Sequence, residues 1–443
     1  MRLLSNPTNR LALLLFLAGL LSIGWAAEGL GWRAPIPAAR LAAPSPALQT
    51  AALDSAIGLR QDAVRRTPTD SVALTELGEL YLAKARLTTD PSWYDKADAV
   101  LGQAIAQKPD DARTAVALGE LALARHRFRD ALGWGERATQ LSPTTVAAYG
   151  VIADALVELG QYERAADVIQ RMVDLKPSLA SYARVSYARE LHGDLPGAIE
   201  AMELAAEAGT PGSESRSWAL VQTGRLYFLV NDLPAATALF RRADAETPGY
   251  HAARAGLARV AAAQERYDEA IALLQPVTLQ APLAEYVILL GDIFAAAGRP
   301  AEAEQQYSLV RAMSELYRAS GVDVDLELAV FDLDQNQNVA AAFATIARLE
   351  RERPSIAVLD ALAWGYYRLG DDAAGLAKAR QALRLGTPDP LLLYHAGKLA
   401  ARAGHIEEAR GYFERALSLN PRYSVRWADD LRRSFEALGG AAR

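Results

Sequence analysis

LVELGQYERAADVIQRMVDLKP (Leu156–Pro177) and AARAGHIEEARGYFERALSLNP (Ala400–Pro421) are two versions of one pattern. In the first, Gly160, Ala165, Ile169, Met172 and Pro177 follow in order; in the second, Gly404, Ala409, Phe413, Ala416 and Pro421 hold the same places. Residues three and four apart share a face of a helix. The alanine therefore lies on the face that carries the larger apolar residue. A small side chain there lets a second helix approach closely. Glycine before it takes the left-handed backbone that ends a helix at little cost. Proline after it cannot continue the backbone ladder and stops the next helix. Each stretch thus predicts a helix end, a tight turn and a complete second helix.

Working outward, the pattern repeats. Pro109, Pro143 and Pro177 stand 34 residues apart, as do Pro177 and Pro211, Pro248 and Pro282, and Pro354 and Pro388. The interval from Pro282 to Pro354 is two periods with one proline missing. The inner residues keep phase: Gly119, Ala131, Gly135, Ala138 and Pro143 correspond to Gly224, Ala236, Phe240, Ala243 and Pro248. Turns between paired helices are expected at Gly160, Gly193, Asn231, Gly298, Gly370 and Gly404. Two periods depart from the rule. The one over 283–316 lacks the closing proline, and the one over 322–354 has no glycine in its turn. A self-similar period of this length marks a solenoid whose units bury their apolar faces only against neighbours.

Over roughly Thr69–Pro421 the chain resembles the tetratricopeptide repeat family. The resemblance implies an all-α fold, a right-handed α-α superhelix of about ten helix–turn–helix repeats with a C-terminal capping helix. A half-repeat is expected over 47–68 and the cap within 422–443, with Trp427, Leu431, Phe435 and Leu438 inward and Arg432 and Arg433 outward. In the family, the first helix of each repeat lines a concave groove that holds a peptide or a helix of a partner. The groove positions carried over are acidic early (Glu79, Glu120, Asp154, Glu158, Glu190). In the middle they are Trp218, Arg225, Phe228 and Arg259, then Asp292, Glu327 and Asp334. Late in the chain they are Trp364, Tyr367, Arg368, Tyr394, Lys398 and Arg402. Interfaces favour Trp, Tyr and Arg, so residues 364–402 are the expected principal patch. The alternative is that Trp364 and its neighbouring tyrosines pack between repeats. The family's clamp for a C-terminal carboxylate needs Lys and Asn at positions that here hold mostly acids, alanines and aromatics.

The N-terminus has a different composition. Arg2 and Arg10, with no acid, precede the apolar run Leu11–Ile23 and the small residues of Gly24-Trp25-Ala26-Ala27. This order is that of a secretory signal peptide over 1–26; the alternative is a membrane anchor over 11–27. Both readings place the rest of the chain outside the cytoplasmic membrane, periplasmic or extracellular. Residues 27–46, with Pro35, Pro37 and Pro44, form a Pro/Ala-rich spacer.

Composition and motif exclude much else. With no cysteine there is no disulfide, thiolate metal site or cysteine nucleophile. A net charge of −6 gives no electrostatic ground for binding nucleic acid. No phosphate loop, HExxH or nucleophile elbow occurs, so neither catalytic residues nor a cofactor are expected. The five histidines are scattered, and solvated or capping roles are expected for them. Asp332–Asn338 alternates oxygen ligands as a calcium loop begins. However, Gln337 stands where that loop needs glycine and Phe343 where it needs glutamate. A turn with unusual asparagine backbone angles is the expectation, and no metal. The functional reading is a scaffold for protein–protein interaction at the cell envelope. The alternatives are a groove for polysaccharide or another non-protein ligand, and an enzyme.

Overall fold

The computed structural model describes residues 46–319 and 321–440. The signal or anchor segment and nearly all of the spacer lie outside the described residues. Among those described there are 22 helices and no strand. They are α1 (Pro46–Arg66), α2 (Ser71–Thr88), α3 (Ser92–Gln107), α4 (Ala112–Ala124), α5 (Phe128–Leu141), α6 (Val146–Glu158), α7 (Tyr162–Leu175) and α8 (Leu179–Leu191). Then come α9 (Leu195–Ala208), α10 (Glu214–Leu229), α11 (Leu233–Glu246), α12 (His251–Ala263), α13 (Tyr267–Gln280), α14 (Ala284–Ala296) and α15 (Pro300–Ala319). The last are α16 (Asp325–Asp334), α17 (Val339–Glu352), α18 (Ile356–Leu369), α19 (Asp372–Ala382), α20 (Pro390–Arg402), α21 (Ile406–Leu419) and α22 (Ala428–Ala437). Helices pair in sequence order except between α15 and α16, and the first helices of successive repeats also meet from α2 to α12 and from α16 to α20. None is long and apolar enough to cross a membrane.

The punctuation has the expected causes. In α5, α7, α11, α13, α17 and α21 the last helical residue stands two before the proline, because the residue before proline is pushed out of the helical region. Where that proline is missing, α15 runs on for 20 residues against 14 in α13. The six expected turn residues all have positive φ. Asn336 and Asn338 take left-handed angles in the turn without glycine, and Asn338 donates to the Asp332 carboxylate. His126 and Glu265 fill the same left-handed place in their repeats, which residue type did not reveal. The small-residue rule holds inside each pair. Phe240 lies against both Gly224 and Gly256, filling the gap between one repeat and the next; a Cβ on either glycine would come within 2.7 Å of its ring.

The superhelix is tight. Residues a full turn apart touch, in one repeating register. The Ile356 amide donates to the Tyr162 hydroxyl (2.8 Å), the Thr387 hydroxyl to the Leu191 carbonyl (2.7 Å), and the Asn420 amide group to the Phe228 carbonyl (2.5 Å). A ring nitrogen of His126 meets the Asp323 carbonyl. These partners are 192 to 197 residues apart, a little under six 34-residue repeats. The turn end of each early repeat therefore abuts the opening loop of a late one. His126 is buried in this seam, not solvated.

Gly160 tests the seam directly. Its φ is +73°, and a Cβ there would sit 2.7 Å from the Pro354 carbonyl oxygen of the second turn. Gly404 has φ +82° and open space around it. Gly404→Ala is expected to cost about 1 kcal/mol for the left-handed backbone alone, and Gly160→Ala about 1–2 kcal/mol more. Urea unfolding of the two variants measures the difference; equal losses would mean that the turns do not stack.

Candidate functional site

A cavity of about 1000 Å³ opens among residues that run from Leu53 to Tyr317. Arg60, Glu76, Glu79, Arg86, Arg113 and Glu120 of α1, α2 and α4 form one wall. Trp218, Arg225, Phe228, Arg259 and Tyr286 of α10, α12 and α14 form the other, with Glu214 and Tyr250 at the starts of their repeats. Tyr94 and Tyr317 also line it. Phe228, Tyr94 and Tyr286 line it while largely buried, and Tyr423 of the C-terminal segment packs on Phe228.

Most of the charges in this wall are matched. Arg113 grips Glu79 through two nitrogens (2.8 and 2.6 Å), and Arg60 meets Glu76 (2.7 Å). Arg225 holds Glu190 with a fork of 2.9 and 2.5 Å, and Arg259 lies 3.6 Å from Glu285. The Tyr250 hydroxyl donates to Glu214 (2.8 Å). Glu120 is different. It is 9% exposed and has neither hydrogen bond nor ion pair with any described residue. Burial pushes its carboxyl up to about 8, against the opposing pull of Arg86.

Between α4 and α10 the inner charges are consumed by one another. Asp154 and Arg184 form a buried bidentate pair (2.9 and 2.6 Å), and neither lines the cavity. Glu158 faces Arg353 across the seam at 3.5 Å, both nearly fully buried. Asp154, Glu158 and Glu190 thus belong to the interior; of the five early acids, Glu79 and Glu120 reach the cavity.

The ten expected partner-binding residues separate into two groups. Trp218, Arg225, Phe228 and Arg259 are brought together in the cavity. Of the six from the late repeats, Trp364, Tyr367 and Tyr394 belong to a packed aromatic stack, beside which lie Arg368, Lys398 and Arg402. Trp364 is 1% exposed and Tyr394 2%. The Trp364 ring stacks on Tyr367 (4.6 Å) and His395 (4.2 Å), and its Nε1 donates to Asp334 (3.0 Å). His395 is as buried as Trp364 and lies 3.0 Å from Asp360, a second histidine in the interior and not in solvent. Residues 421–427, expected in part as helix, instead form turns that fill the inner face. Arg426 donates to Asp292 and to the Asp334 carbonyl (2.9 Å each), and Tyr423 packs on Phe228. Tyr367, Arg368 and Lys398 are half-buried and Arg402 is exposed.

Sequence reasoning missed Arg86, Arg113, Glu214, Tyr250 and Tyr286. A signal existed for three of them: Glu214, Tyr250 and Tyr286 recur every 36 residues, near the start of successive first helices.

Tetratricopeptide repeat models match residues 94–144 and 151–214, 227–293, and 390–423. Among solved structures, the chain is similar to the human IFIT1 dimer with m7Gppp-AAAA, at 15% identity over 75% of this chain and 76% of that one, with a TM-score of 0.49. It is similar to a tetratricopeptide repeat protein from Parabacteroides merdae, at 17% identity over 58% and 98%, TM-score 0.35. PilW, a type IV pilus biogenesis factor, is similar at 17% identity over 45% and 92%, TM-score 0.39. No curated protein matches.

The seam carries a titratable group of its own. Glu327 is 6% exposed, and both its carboxyl oxygens lack a hydrogen-bond partner among the described residues. Burial pushes it up to about 8, against the pull of Arg353. The folded chain therefore keeps a proton there that the unfolded chain releases near pH 4 to 5. Stability from this group is full below that range and is lost as pH rises toward 8. Glu327→Gln removes the titration, so the variant's melting temperature is expected to fall less between pH 5 and pH 8 than the parent's. Parallel thermal melts at the two pH values check it, and equal falls count against it.

Proposed function

The chain belongs to the tetratricopeptide repeat family, and on that premise we propose that it is an interaction scaffold whose cavity holds a segment of a partner polypeptide. The observation that carries this reading is the cavity of about 1000 Å³, with Trp218, Phe228, Tyr250 and Tyr286 in its wall. Aromatic side chains held by neighbouring repeats give large contact area with little ordering cost, and arginine beside them adds directional hydrogen bonds. Arg225 and Arg259 are fixed by acids behind them. In the late repeats, Tyr367, Arg368, Lys398 and Arg402 are the candidates for a second contact, over the stiff stack made by Trp364 and Tyr394.

The experiment is site-specific photo-crosslinking in the source cell. A photoreactive residue at Leu80, in the cavity wall, is compared with one at Leu279, which is 81% exposed and outside it. Polypeptide adducts are expected from position 80 and not from position 279. Equal capture at both, or adducts at 80 that are glycan only, would count against the reading.

We place the scaffold at the cell envelope, on the strength of residues 1–26. Mass spectrometry of the protein from its source is expected to find a mature form beginning near Ala27. A cytoplasmic protein retaining Met1 would contradict export.

A further inference from the structure

The wall of the cavity has one unfilled requirement. Glu120 is buried, faces the cavity and has no partner among the described residues. A carboxyl withdrawn from water without a partner is costly. The nearby acids cannot share their cations, because Arg113 and Arg60 are engaged with Glu79 and Glu76. Arg86 is the remaining cation. It acts through space on both Glu120 and Glu214 and forms an ion pair with neither among the described residues. Two cavity carboxyls thus feel one unpaired positive charge, and a second cation in the cavity would be matched.

We propose that the partner segment carries an arginine or lysine whose cationic head seats in the cavity against Glu120 and Glu214. This rests on the reading of the cavity as a polypeptide site and names what that polypeptide must bring. The lining favours the same choice: Tyr94, Trp218, Tyr250 and Tyr286 border the cavity, and aromatic surroundings suit the apolar stem and cationic head of a long basic side chain. An acidic segment would meet Glu79, Glu120 and Glu214, and a nucleic acid would meet the same charges with its phosphates.

The raised Glu120 adds a proton linkage. Burial keeps this carboxyl largely neutral near pH 7, and an arriving cation stabilises its ionised form. Binding therefore releases a proton and tightens as pH rises from 6 to 8.5. The groups acting on Glu120 are Glu79 and Arg86 of α2, Asp154 of α6 and Arg184 of α8. Of these, Glu79 is tied to Arg113, and Asp154 and Arg184 to each other.

The test uses the full chain and fluorescein-labelled peptides of alternating alanine and serine, with two central arginines, two citrullines or two glutamates, and a labelled oligothymidylate. Anisotropy is expected to show the arginine peptide binding at least tenfold tighter than the citrulline peptide, with affinity rising with pH. Glu120→Gln should weaken it at least fivefold and flatten the pH response. Glu214→Gln, at an exposed position, should weaken it with the fold intact by circular dichroism; the outer-face Glu163→Gln should not. Equal affinity for the arginine and citrulline peptides would overturn the basic anchor while leaving the scaffold reading intact. So would an arginine affinity untouched by both cavity variants. Tighter binding of the glutamate peptide or the oligothymidylate would overturn it too. No binding of any probe would overturn both.

Discussion

The amide of Ile356 reaches the hydroxyl of Tyr162, and the side chain of Asn420 reaches the carbonyl of Phe228, because the second turn of the superhelix lies directly on the first. This seam is the constraint from which the interior follows. Each hydrogen bond in it contributes only about 0.5–1.5 kcal/mol net. Their common register does more, since it fixes the distance between turns and so the width of the bore. A looser superhelix would leave an open trough along the whole inner face. Here Tyr423, Arg426 and Trp427 close the C-terminal part, and the free space collects beside α2, α4, α10 and α12.

The bore is charged, and its charges are organised. Asp154 with Arg184, Glu190 with Arg225, Glu285 with Arg259 and Asp292 with Arg426 are pairs between different repeats or between a repeat and the C-terminal segment. Removing one member of such a pair strands a buried charge, which costs far more than the pair itself contributes. The pairs thus tie one repeat to the next and leave few polar groups for a ligand. Glu120 and Arg86 stand out against that background of matched charge.

The C-terminal segment serves as more than a cap. Trp427 meets the Trp364 ring edge-on (5.7 Å) and stacks near Tyr394 (5.6 Å), while Leu431 and Phe435 of α22 bury the last apolar face. Arg426 reaches back over 134 residues to Asp292. The segment joins repeats that are remote in sequence, and so turns a stack of nearest neighbours into a body with long-range contacts. That departs from the simple picture of a solenoid whose units touch only adjacent units.

The amino-acid sequence by itself determined every feature that depends on a few neighbouring residues. The 34-residue phase, the pairing of helices, the left-handed turns at Gly160 and Gly404 and the helix ends before proline all follow from backbone sterics and from residues three or four apart. It also picked out Trp218, Arg225, Phe228 and Arg259, because position within a repeat assigns a residue to the inner face. Only the tertiary structure decided which inner faces stay open. That outcome depends on a small rotation per repeat accumulated over nearly six repeats, and no local pattern encodes such a sum. For the same reason Asp154 and Glu190 lost their place in the groove to arginines 30 and 35 residues away, and Trp364 became a packing residue once Trp427 folded back against it.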